Sequence, residues 1–149
     1  MINIQPISTI ARGQGAKLII YGPPGSGKTP LCVNTSDALI MLTEPGTLSV
    51  RNSTTPAVQC YAVNQIKDFC SWLRSDSKEK LQFKTICVDS ISEWCSIYIR
   101  HFEAIPTKAG NQQDGKKVYG DMARAVIKEL NYLYYVSNFN IVFHIKNSK

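Results

Sequence analysis

Gly22, Pro23, Pro24, Gly25, Ser26, Gly27, Lys28 and Thr29 read G-x-x-x-x-G-K-T, the densest chemical signal in the chain. Glycines at this spacing let a backbone curl so that several amides face one point, and a helix N-terminus behind them adds positive potential. That arrangement suits a polyphosphate tail, with Lys28 spanning the β- and γ-phosphates and the Thr29 hydroxyl placed to ligate Mg²⁺. Pro30 follows where a backbone amide usually meets the α-phosphate, and proline has no amide hydrogen. One phosphate contact is therefore expected to be missing, at a cost of roughly tenfold to a hundredfold in affinity where water does not substitute. Proline is tolerated in a first helical turn, so the fold is expected to survive it.

Two acids and a histidine end apolar runs and are candidates to meet that loop. Asp89 closes Phe83 to Val88 (FKTICV) and fits a carboxylate that orients Mg²⁺ and its waters; the alternative is a helix N-cap, a role Ser90 can fill alone. Glu44 follows Ala38 to Leu42 (ALIML), at the end of a parallel strand, within reach of a water attacking the γ-phosphate; the alternative is a surface turn residue. His144 ends Asn140 to His144 (NIVFH) on the same rim and could bond the γ-phosphate or the attacking water, against the plainer reading of a core histidine. Arg100 and Arg124 are candidates to act on a neighbouring subunit's nucleotide, but spacing selects neither.

The elements that must position these groups alternate. Lys17 to Tyr21 (KLIIY) reads as a buried strand, and the segment after the glycine loop as a short helix to about Ser36. Ala57 to Val63 reads as an edge strand, and Ile66, Phe69, Cys70 and Leu73 mark one helical face. A second helical face runs from Ile91 through Trp94 and Tyr98 to Phe102 and is closed by Pro106. Thr107 to Lys117 is a polar loop carrying Lys108, Lys116 and Lys117 against Asp114, and Asp121 caps a last helix bearing Met122, Val126, Leu130, Leu133 and Tyr134. Short apolar strands alternating with helices predict an α/β fold with a parallel sheet covered on both faces.

A length of 149 residues predicts one domain, with 44% hydrophobic and 19% charged residues excluding disordered or fibrous classes. The net charge of +6 favours an anionic partner, although the basic residues form no long run and also fit a solvated surface. Cys32, Cys60, Cys70, Cys87 and Cys95 make no C-x-x-C pair and read as small buried hydrophobes in a reducing cytoplasm. No stretch approaches the roughly 18 apolar residues of a membrane span, and the N-terminus lacks the apolar core of a signal peptide.

In series, YGPPGSGKT (21–29), LIMLTEPG (39–46), TICVDSISEW (85–94), YGDMARAVIKEL (119–130) and NIVFHIK (140–146) resemble a RecA-like P-loop ATPase. They resemble especially the short phage-encoded nucleotide-binding proteins of the recombination and single-strand annealing group. The resemblance implies a three-layer P-loop NTPase fold, ATP and Mg²⁺ as cofactors, work on single-stranded DNA, and oligomers. It matches Glu44 to the catalytic glutamate, Asp89 to the Walker B acid and His144 to the polar sensor. Such proteins continue beyond the equivalent of Ile145 to Lys149 into further strands. Without those strands the Lys17 to Tyr21 strand is expected to lack one neighbour and become an open sheet edge, so that the chain is either a fragment or compact variant or has a partner covering that edge. The leading expectation is a slow Mg²⁺-dependent ATPase serving DNA recombination, annealing or repair. A small-molecule or nucleotide kinase is one alternative, disfavoured by five unclustered arginines. A non-catalytic nucleotide- or nucleic-acid-binding module, its loop weakened by Pro30, is the other.

Overall fold

The computed structural model describes residues 2–46, 48–107, 114–136 and 138–147. Along the chain lie α1 (Ile7–Ala11), β1 (Lys17–Gly22), α2 (Lys28–Val33), β2 (Ala38–Leu42), β3 (Ala57–Gln59), α3 (Val63–Arg74), β4 (Thr85–Asp89), α4 (Ile91–Glu103), α5 (Gly115–Asn131) and β5 (Asn140–Lys146). The five strands form one all-parallel sheet in the order β1-β5-β4-β2-β3. β2 and β4 are buried along their whole length, which is why ALIML and TICVD are almost unbroken apolar runs rather than alternating ones.

The two faces are covered unequally. Leu39, Met41, Ile86, Val88, Ile141 and Phe143 point into a large core beneath α3, α4 and α5. Ile40, Leu42, Cys87 and Val142 point the other way, toward Cys32 of the short α2. Trp94 and Tyr98 are buried in the larger core, as their helical spacing predicts. All five cysteines are free and four are buried, and burial pushes the Cys60 and Cys70 thiols up to about 12.

Several expectations need correction. Lys17 to Tyr21 is a strand but not a buried one: among the described residues β1 is bonded only to β5, and Leu18, Ile19 and Tyr21 are exposed. This is the open edge that the resemblance implied. The edge strand at Ala57 is only three residues long, because the chain turns into α3 at Val63. α4 ends at Glu103, three residues ahead of Pro106. α5 begins at Gly115 with Asp114 as its cap, accepting from the Lys116 amide at 3.1 Å. Asp121 lies inside that helix and pairs with Arg124, because buried Val118 draws an additional turn onto the core. Of the polar loop expected at 107–117, residues 108–113 lie outside the described residues.

Candidate nucleotide site

Every strand of a parallel sheet ends on the same rim, so the tips of β1, β2, β4 and β5 converge here by topology alone. The β1–α2 turn curls through left-handed backbone at Gly25 (φ 80°) and Gly27 (φ 84°), where a Cβ would be strained. Lys28 is buried and folds back across the loop, donating to the carbonyls of Gly22 at 2.8 Å and Pro23 at 2.7 Å and to Ser26 Oγ at 3.2 Å. Its ammonium is thus held at the mouth of the loop by neutral acceptors, which an anion would outbid. Pro30 is the third residue of α2, a position whose amide has no partner within the helix, so the helix tolerates it.

Asp89 meets the loop from β4. The Thr29 hydroxyl donates to Asp89 Oδ2 at 2.5 Å. The helix-cap role falls to Ser90, whose Oγ accepts from the Glu93 amide at 3.3 Å. Thr43 locks the tips of β2 and β4 together: its hydroxyl donates to Ser90 O at 2.9 Å and accepts from the Ser90 amide at 2.8 Å. The next residue, Glu44, is thereby aimed into a cleft of about 310 Å³ that it shares with Gly25, Lys28, Thr29, Pro30 and Asp89. The larger hollow of about 640 Å³ lies elsewhere, between α3 and the β2–β3 edge, and holds none of these groups.

His144 sits lower than expected. β5 continues two residues past it, because β1 pairs with β5 as far as Gly22 opposite Lys146, and this leaves His144 fully buried under the cleft instead of on its rim. Its Nδ1 lies 3.1 Å from Asp89 Oδ1 without the alignment of a hydrogen bond, and its Nε2 lies 3.2 Å from Cys32 Sγ. Burial alone would push the imidazole down, but the Asp89 carboxylate and the Cys32 sulfur raise it to about 9. For Asp89, burial pushes upward and is outweighed by His144 and the Thr29 hydroxyl, which hold the carboxyl below its ordinary value. His144 therefore steadies Asp89 as an ionised group from behind.

Lys146 was not among the expected residues. Its ammonium pairs with Glu44 and it lines the same cleft. The period of a strand contained the signal, since Lys146 stands two residues beyond His144 and so on the same face. Arg100 and Arg124 are engaged on their own helices by Glu93 and Asp121.

Among the described residues no three His, Cys, Asp or Glu side chains gather as a metal cage. Thr29 and Asp89 nonetheless supply the two hard oxygen donors that Mg²⁺ takes from a protein when phosphates and waters complete its shell. A parallel sheet with this loop after its first strand defines the fold of a P-loop NTPase domain. Residues 14–149 match the family described as the AAA domain, and the chain belongs to that family. Comparison with curated proteins gives no match.

Proposed function

We propose that the chain is one ATP-binding domain spanning residues 1–149 and a slow, Mg²⁺-dependent ATPase that works on single-stranded DNA in phage recombination, annealing or repair, within the host cytoplasm. The observation that carries the catalytic part is the convergence of Lys28, Thr29, Asp89 and Glu44 on one cleft. Loop amides from Gly22 to Thr29 cradle the phosphates, and the Lys28 ammonium turns from the carbonyls of Gly22 and Pro23 to the β- and γ-phosphate oxygens. Thr29 and Asp89 would hold Mg²⁺, which when bound neutralises phosphate charge. Glu44 orients a water and accepts its proton, while His144 keeps Asp89 charged. The DNA part rests on the net charge of +6 and on the likeness to phage recombination proteins. No helix among the described residues is long and apolar enough to cross a membrane.

A second reading, a nucleotide-gated binding module without turnover, draws on the missing Pro30 amide. Phosphate release with and without single-stranded DNA separates the two. Stimulation by DNA supports the ATPase, whereas DNA binding with no turnover supports the module. Lys28→Ala is expected to abolish ATP binding, and Glu44→Gln to retain binding while abolishing hydrolysis. Normal turnover in Glu44→Gln would remove Glu44 from the mechanism.

A further inference from the structure

The cleft holds a second ammonium, that of Lys146. The Lys146 amide donates to Ser92 Oγ at 3.0 Å and the following amide, Asn147, donates to Gly22 O at 3.3 Å, so the backbone beneath the side chain is pinned from two sides. Lys146 is the register partner of Gly22, and the Gly22 carbonyl also receives the Lys28 ammonium. Both cations therefore gather at one end of the loop, the end at which the loop lysine meets the β- and γ-phosphates. The Lys146 ammonium is paired with Glu44. Because β4 lies between β5 and β2, this pair bridges the two strands that flank the tip carrying Asp89.

We propose that Lys146 is the residue by which the cleft distinguishes a nucleoside triphosphate from a diphosphate: its ammonium exchanges the Glu44 carboxylate for oxygens of the terminal phosphate, and the exchange releases Glu44 to a water. This rests on the nucleotide reading above. The exchange is chemically even, one charge-assisted N–H···O contact for another, so the ion pair does not hold the cleft shut against a triphosphate. A diphosphate brings no terminal oxygens to that end, so Lys146 stays on Glu44 and Glu44 stays engaged. Lys146 is thus a specificity and positioning residue, and its signature is a ratio of affinities and not a general loss of binding.

The test is calorimetric titration of the full chain, in Mg²⁺, with ADP and with an ATP analogue whose β,γ-bridge is an imido group. Lys146→Met is expected to weaken the analogue roughly tenfold and to leave ADP unchanged. Glu44→Gln frees Lys146 in advance and is expected to tighten the analogue severalfold, an effect that disappears when both changes are combined. Should Lys146→Met fail to fold by circular dichroism, Lys146→Arg, expected to keep the triphosphate preference, and Glu44→Gln carry the same comparison. Equal weakening of ADP and analogue, or none, overturns the proposal while leaving the nucleotide reading intact. A wild-type chain that binds neither nucleotide, or binding that survives Lys28→Ala, overturns both.

Discussion

The two faces of the sheet are built on different terms. Under α3, α4 and α5 the contacts are chiefly apolar: Ile66, Leu73, Ile86 and Ile141 are wholly buried in one large cluster. Under α2 the apolar patch is small, and the polar groups beside it, Thr29, Asp89, His144 and Cys32, lie against one another, with His144 Nδ1 left without a hydrogen bond. One face holds the fold; the other holds charged groups in place at the strand tips with little packing to spare. A sheet that is covered asymmetrically can keep a rigid floor under a cleft whose lining remains free to exchange partners.

The largest expected effect tests the supporting face. Ile86→Ala should cost about 2–5 kcal/mol, because a wholly buried side chain leaves a cavity that its neighbours cannot close, and denaturant titration reads it directly. Its opposite-face counterpart, Val142→Ala, removes a smaller side chain from a thinner layer and should cost less. In both variants the folded protein should bind nucleotide with wild-type affinity. Equal costs on the two faces would mean that α2 stabilises the sheet more than its short span implies.

The next effect lies on the thin face and leaves stability nearly untouched. Pro30→Thr restores an amide that α2 itself cannot use, so the new donor is available to a phosphate oxygen. Affinity for ATP should rise by up to about 1.5–3 kcal/mol, the worth of a hydrogen bond to a charged group. Unfolding stability should fall by less than about 1 kcal/mol, since only the rigidity of proline is lost. Unchanged or weaker binding by calorimetry would show that this amide position does not face the phosphates.

What was legible in the sequence was what is local. The phosphate loop could be read because strand, glycines and helix follow one another directly, and Ser90 could be read as a cap because its partner Glu93 is three residues away. The tips at Glu44 and Asp89 were reachable because all strands of a parallel sheet end on one rim. The depth of His144 was not, since it depends on β5 pairing with β1 two residues beyond the apolar run. Thr43 and Lys146 were missed for a related reason: each acts through a partner more than forty residues away in sequence. The exposure of β1 depends on strand order, which no single segment encodes; it was foreseen through the resemblance of the whole series and missed in the apolar run KLIIY, which reads as a buried strand.

The smallest effect probes that open edge, where neither face is complete. Ile19 points to the same side as Ile141 and Phe143 but lies outside the cover of the helices, 69% exposed beside Ile91, Tyr134 and Tyr135. A side chain that gives up so little surface on folding contributes little to it, and threonine keeps the β-branch that a strand favours. Ile19→Thr should therefore change unfolding stability by no more than about 0.5 kcal/mol, at every protein concentration. A larger loss that grows with protein concentration would mean that another copy already covers β1 in solution, and that the contrast between a supporting and an open face ends at the second strand from this edge.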